Sequence, residues 1–146
     1  MRKHIYKIND PIPLVDKHDH DDYRKKFGPG HWDYLHRVAA SAVDEDSKWI
    51  VIDMIEKECE TFGCDSCRAD FSKLWNDYYK NEVMYTDNYW YRYDKINGVP
   101  REVGMLKLTI DMHNDVNAKL GKPIMNVHDA FALYLKGCEE FVCKDH

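Results

Sequence analysis

Val103, Leu106, Ile110, His113, Asn117 and Leu120 recur at spacings of 3, 4, 3, 4 and 3, the period of one face of an α-helix. No other segment of the chain constrains the fold as strongly. Pro100 is placed to open this helix, where a missing N–H costs nothing, and Gly121 and Pro123 are placed to end it. The stripe is apolar only in its first half. His113 and Asn117 stand where a core helix carries hydrocarbon, and a buried polar group without a partner costs about 1–3 kcal/mol. Two readings satisfy them: a polar core paired within the protein, or a polar ligand held between helices. Lys119 and Lys122, at the end of the same helix, would meet a diphosphate in the second reading and solvent in the first.

Other segments repeat the helical period. Trp32, Leu35, Ala39 and Ala42 predict a first helix, entered through a turn at Phe27-Gly28-Pro29-Gly30. Asp44 to Ser47 break it, with Asp46 or Ser47 as the cap of a second helix that carries Ile52, Ile55 and Cys59 and stops near Phe62-Gly63. Cys64 opens a third helix with Cys67, Phe71, Leu74 and Tyr78 as its stripe, and residues 81–99 form an aperiodic aromatic loop. Asn126 caps a short fifth helix through Val127, Phe131 and Tyr134. No strand-length alternation and no internal repeat is read. The expected class is all-α, a four-helix bundle plus a short fifth helix.

The 146 residues suit one domain. The expected division is an extended arm over 1–26, a helical domain over 27–136 and a tail over 137–146. The acidic and histidine-rich run Asp16 to Asp22 reads as a solvated tail, so no metal site is expected. A net charge of −5 argues against nucleic acid and against an anionic membrane surface as partners. No apolar run approaches the roughly 18 residues of a spanning helix, and the N-terminal stretch lacks the apolar centre of a secretory signal. The expectation is a chain made on the cytosolic side and kept there, or imported without a cleaved signal.

The cysteines carry the chemistry. Of the five, Cys64 and Cys67 form a C-x-x-C, Cys138 and Cys143 form a C-x4-C, and Cys59 sits on a core stripe as a buried free thiol. Two intervening residues let both sulfurs meet across the first turn of a helix, whose partial positive charge favours a thiolate and so a dithiol–disulfide cycle. The rival readings are half of a zinc site, completed by the distant Cys138 and Cys143, and two core cysteines adjacent by accident.

Three motifs in order, Gly28-x-x-x-Trp32-x-x-Leu35-His36, then Cys64-x-x-Cys67, then His113-Asn114-x-Val116-Asn117-x-x-Leu120-Gly121-Lys122-Pro123, resemble the Erv/ALR flavoprotein sulfhydryl oxidases over about Phe27 to Tyr134. The small size resembles viral members as much as cellular ones. The resemblance implies a helical bundle that holds FAD between helices, acts as a homodimer, oxidises a protein dithiol and passes the electrons to molecular oxygen as hydrogen peroxide. It implies Cys64 as the interchange sulfur and Cys67 as the flavin-facing one. It assigns cofactor binding to Gly28, to Trp32 and His36 on the adenine and ribose side, to His113, Asn114, Val116, Asn117 and Leu120 along the flavin nucleotide, and to Lys119 and Lys122 near the phosphates. Tyr134 falls where the family often places a tryptophan. Cys138 and Cys143 become candidates for a shuttle pair on a mobile arm, with a stapling disulfide and idle thiols as the alternatives. The sequence departs from the family at Pro29, where many relatives carry a polar residue. It also lacks any cysteine between Cys67 and Cys138 for a second structural disulfide. The implied compartments are the virus-infected cytoplasm or virion for a viral member, and the mitochondrial intermembrane space for a cellular one. The competing function is a non-enzymatic helical adaptor stapled by a zinc clip of Cys64, Cys67, Cys138 and Cys143.

Overall fold

A computed structural model describes residues 20–136. Four helical rods pack around a shared core: α1 (His20–Ala40), α2 (Glu45–Thr61), a third rod made of α3 (Asp65–Leu74) and α4 (Lys80–Tyr85) joined by a π-helical turn at Trp75–Tyr79, and α5 (Gly104–Lys119). The short α6 (Val127–Phe131) follows and runs into a second π-helical turn at Ala132–Lys136. The all-α bundle with a short fifth helix is thus the observed architecture, with one small addition. Between the third rod and α5 lies a two-stranded antiparallel hairpin, β1 (Tyr93–Ile96) and β2 (Val99–Glu102), in register Tyr93 to Glu102 and Ile96 to Val99.

Helix α5 is the centre. It packs against α1 and α6 and touches the third rod, while α2 packs against α1 and α3. Its first half is surrounded on every side: Met105, Leu106, Leu108, Thr109, Ile110 and Met112 are all fully buried. Burying a side chain of this kind is worth about 1.5–3 kcal/mol, so the core forms here, with Leu35, Ile52, Ile55, Trp75 and Phe131 closing around it. Gly104 starts the helix because nothing larger fits. A Cβ there would stand 1.6 Å from the carbonyl oxygen of Tyr89 and 2.8 Å from its carbon.

Several local expectations are corrected. Residues 20–26, read as part of an extended arm, are helical, and Phe27-Gly28-Pro29-Gly30 lies inside α1 rather than forming a turn. Proline already holds a helical φ. Its interior cost of about 3 kcal/mol is outweighed here by the packing of Trp32, Leu35, His36 and Ala39 in the turns that follow. The cap of α2 is Asp44, not Asp46 or Ser47. Its carboxylate accepts the Ser47 N–H at 2.8 Å, and Ser47 Oγ accepts the Asp44 N–H at 3.3 Å, a reciprocal capping box.

The third rod buries Phe71, Trp75, Tyr79 and Val83, each four residues apart, and leaves Tyr78 53% exposed. A regular helix would rotate a four-residue repeat off the core, whereas the wider π turn holds it there. That register shift is why Tyr79, not Tyr78, is the core residue. Residues 81–85, read as loop, continue this rod.

The rest of the expected loop contains the hairpin. Asn97 and Gly98, with φ of 55° and 79°, form its two-residue turn. Pro100 belongs to β2 opposite Lys95 instead of opening the fourth helix, which begins at Gly104. The hairpin is fastened by Lys48 of α2. This buried ammonium donates to the Trp90 carbonyl, pairs with Glu102 and lies over the Trp90 and Tyr91 rings. Among the described residues no helix is long and apolar enough to cross a membrane.

Candidate active site

Cys64 is the N-cap of α3. Its Sγ accepts the Cys67 N–H at 3.3 Å, and the two sulfurs are joined as a disulfide. The cap geometry is what C-x-x-C spacing predicts, with both sulfurs at the positive end of the helix. Arg68 ties the approach down: Nη1 donates to the Phe62 carbonyl at 2.7 Å and Nη2 to Asp65 at 2.7 Å. Cys64 is fully buried, while Cys67 is partly exposed. Cys59 is a partly buried free thiol packed against the core, and burial raises its pKa to about 11.

Cys67 lies on the wall of a cleft of about 660 Å³ between α1, α3 and α5, well within the size of small-molecule sites. Of the residues expected at a cofactor, Gly28, Trp32, His36, His113, Val116, Asn117, Lys119, Leu120, Lys122 and Tyr134 line it. Asn114 does not. Its side-chain amide donates to the Met125 carbonyl and accepts the Met125 N–H, both at 2.9 Å, and so clasps the segment after α5. Asn117 lines the cleft while donating to the Pro123 carbonyl at 3.3 Å. Gly121, at φ 72°, stops the helix as expected, with the Lys122 N–H returning to the Asn117 carbonyl at 2.8 Å.

The cleft is aromatic on the side of α1 and α5. Trp32 and His113 stack with ring centroids 4.3 Å apart and planes 3° apart, Phe71 meets Trp32 edge-on at 5.7 Å, and Tyr134 lies 5.2 Å from His36. Of the two polar residues on the α5 stripe, Asn117 is held by Pro123 and His113 by α1. His36 Nε2 is 2.9 Å from His113 Nδ1, and His36 Nδ1 is 2.9 Å from Thr109 Oγ1. Burial lowers the pKa of His36 to about 3, with the neighbouring His113 adding to the effect, and that of His113 to about 4, with Lys122 adding to it. Both rings are neutral near pH 7. The two sequence readings therefore divide one residue between them: one nitrogen of His113 is satisfied inside the protein, and the ring also lines the cleft.

The rim is charged. Lys119 pairs with Asp70 at 3.0 Å, bridging α5 and α3, while Lys122 forms no ion pair among the described residues. Tyr134 donates to Asp33 at 3.2 Å. Tyr79, buried under the rim, donates to the lining residue Asp115, and burial first, then this bond, pushes its phenol pKa up.

Residues that sequence reasoning missed at the site include Thr109, His31, Phe62 and Tyr78. The last three line the cleft. Tyr78 was hidden by the π turn, which moves it from the core to the rim. Thr109 left one signal, its position four residues before His113 on the same helix face. Cys138 and Cys143, the shuttle candidates, lie outside the described residues.

Fold and cleft together define a helical bundle that sets a C-x-x-C disulfide into an aromatic, histidine-bearing ligand cleft. The chain belongs to the Erv1/Alr family, whose pattern matches residues 29–135. The members of that family are known as FAD-linked sulfhydryl oxidases. No curated protein and no solved structure matches the chain.

Proposed function

We propose that the protein is an FAD-dependent sulfhydryl oxidase that makes disulfides in a protein substrate and delivers the electrons to oxygen as hydrogen peroxide. The observation that carries this reading is Cys67, disulfide-bonded to Cys64 and lining the same cleft as Trp32 and His113. The donor set fits a flavin dinucleotide. The flat Trp32 and Phe71 surfaces suit fused rings, His113 and Asn117 offer polar contacts between the helices, and Lys122, with Lys119 beside it, suits a diphosphate. Bound there, the flavin supplies a two-electron acceptor for the reduced cysteine pair and a route from it to oxygen.

The chain's own part is thiol exchange. A substrate thiolate attacks one sulfur of the Cys64–Cys67 bond, that bond breaks, and a mixed disulfide forms. The second substrate thiol then displaces the enzyme sulfur, leaving the substrate oxidised and Cys64 and Cys67 reduced. The α3 N-terminus stabilises the thiolates released in both steps. With Cys64 fully buried, attack on it requires the turn before α3 to open, whereas Cys67 already faces the cleft. Cys138 and Cys143 are proposed as the shuttle pair, and a homodimer as the functional unit.

The visible absorption spectrum of the purified protein, together with oxygen uptake on adding dithiothreitol, tests the reading. A flavin spectrum with thiol-dependent oxygen uptake supports it. A colourless protein that stays colourless when given FAD overturns it. Cys67→Ser should keep the flavin and reduce turnover to background, and ordinary turnover in that variant would sink the mechanism.

A further inference from the structure

Thr109 has no part in the cleft lining, yet it is fully buried and bonded to a residue that has. Its hydroxyl lies 2.9 Å from the carbonyl oxygen of Leu106 and 2.9 Å from His36 Nδ1. A carbonyl oxygen can only accept, so in the Thr109 bond to Leu106 the single hydroxyl proton points to the carbonyl. The oxygen of Thr109 must then accept from His36, which places the His36 proton on Nδ1. A neutral imidazole carries one proton, so His36 Nε2 is a bare acceptor. The proton in the bond to His113 at 2.9 Å therefore belongs to His113 Nδ1. His113 is neutral as well, so its own Nε2 carries a lone pair. That nitrogen makes no hydrogen bond among the described residues.

We propose that Thr109 is a positioning residue. Through His36 it fixes His113 with its proton on Nδ1, so that Nε2 offers the cleft a hydrogen-bond acceptor, and the site takes an N–H or O–H donor of the bound ligand at that point. The direction of the chain of bonds is set at its buried end by the Thr109 donation to a backbone carbonyl. Burial assists it: both rings are held neutral, with pKa values of about 3 and about 4. Identifying the donor as part of a flavin dinucleotide rests on the function proposed above. The tautomers themselves do not.

The test uses the protein without added ligand. Two-bond 1H–15N correlation spectra of the 15N-labelled full chain near pH 7 report which nitrogen of each histidine is protonated. The expected result is Nδ1–H in both His36 and His113. Nε2–H in His113 of the unaltered protein would overturn the proposal without recourse to any variant. Thr109→Val, similar in shape but without an acceptor, should release His36 to carry its proton on Nε2, donate to His113 Nδ1 and drive the His113 proton to Nε2. Thr109→Ser should keep the original pattern. A His113 signal unmoved by Thr109→Val also overturns the proposal. With FAD as the probe, Thr109→Val should weaken binding about tenfold, as loss of one good hydrogen bond does, and Thr109→Ser should restore it. Equal weakening in both variants would mean a packing role and overturn the positioning one. If the spectra agree but the protein takes up no FAD, the oxidase reading fails while the tautomer assignment stands.

Discussion

The two ends of α5 bury polar groups in opposite ways. At the N-terminal end, Lys48 is closed in by the hairpin. A carbonyl, a carboxylate and two aromatic faces surround its ammonium, and Gly104 lets the Tyr89 backbone press directly onto the helix. Further along, a second series starts at Thr109 in the buried first half of α5, runs through His36 of α1 and stops at His113, on the wall of a cleft. The Lys48–Glu102 pair, buried under the hairpin, can serve packing and register. The series that ends at His113 reaches the wall of the cleft that Cys67 also lines, as the proposed ligand role requires. The difference marks which end of the bundle is scaffold and which is site.

The largest effect is expected at Gly104. Gly104→Ala forces a methyl into the Tyr89 carbonyl and should cost about 3 kcal/mol or more, at or beyond the upper end of overpacking penalties. Urea unfolding measures it, and a loss under about 1 kcal/mol would mean that the scaffold end is not rigid.

The site end should show itself in pH. The folded pKa values of His36 and His113, about 3 and about 4, lie below the ordinary 6.5. As pH falls, the unfolded chain takes up protons first. Stability is thus fully present above 6.5 and is lost from there down to about 4 for His113 and about 3 for His36, with each histidine adding a slope of up to about 1.4 kcal/mol per pH unit. Unfolding curves at pH 7, 6 and 5 should separate accordingly, and coincident curves would refute the neutral pair.

The smallest effects discriminate between neighbours on α5. His113→Ala should weaken flavin retention about tenfold, the worth of one hydrogen bond and a stacked ring. Asn114→Ala should cost about 1–2 kcal/mol of stability through the lost Met125 clasp and leave flavin affinity close to the original. Calorimetry with FAD and urea unfolding on both variants tell them apart, and the reverse pattern would place Asn114 in the binding site.

Features that depend on residues within one or two turns of each other were legible in the chain before it was folded. The central helix and its Gly121 stop, the Asn126 cap at 3.1 Å from the Asp129 N–H, and Cys64 at the head of α3 are all local hydrogen-bonding matters. The hairpin was also written locally, in Asn97-Gly98, but its four-residue strands, Tyr93–Ile96 and Val99–Glu102, do not alternate apolar with polar residues. The remaining features come from contacts between distant segments. Pro29 remains in a helix because packing beyond it outweighs a local penalty. Tyr78 and Tyr79 exchange roles because a π turn adjusts the third rod to the core. His113 finds its partner in His36, 77 positions away, and that partner takes its direction from Thr109. No periodicity carries such a pairing, since it arises only where two helices meet and leave a polar atom no water to turn to.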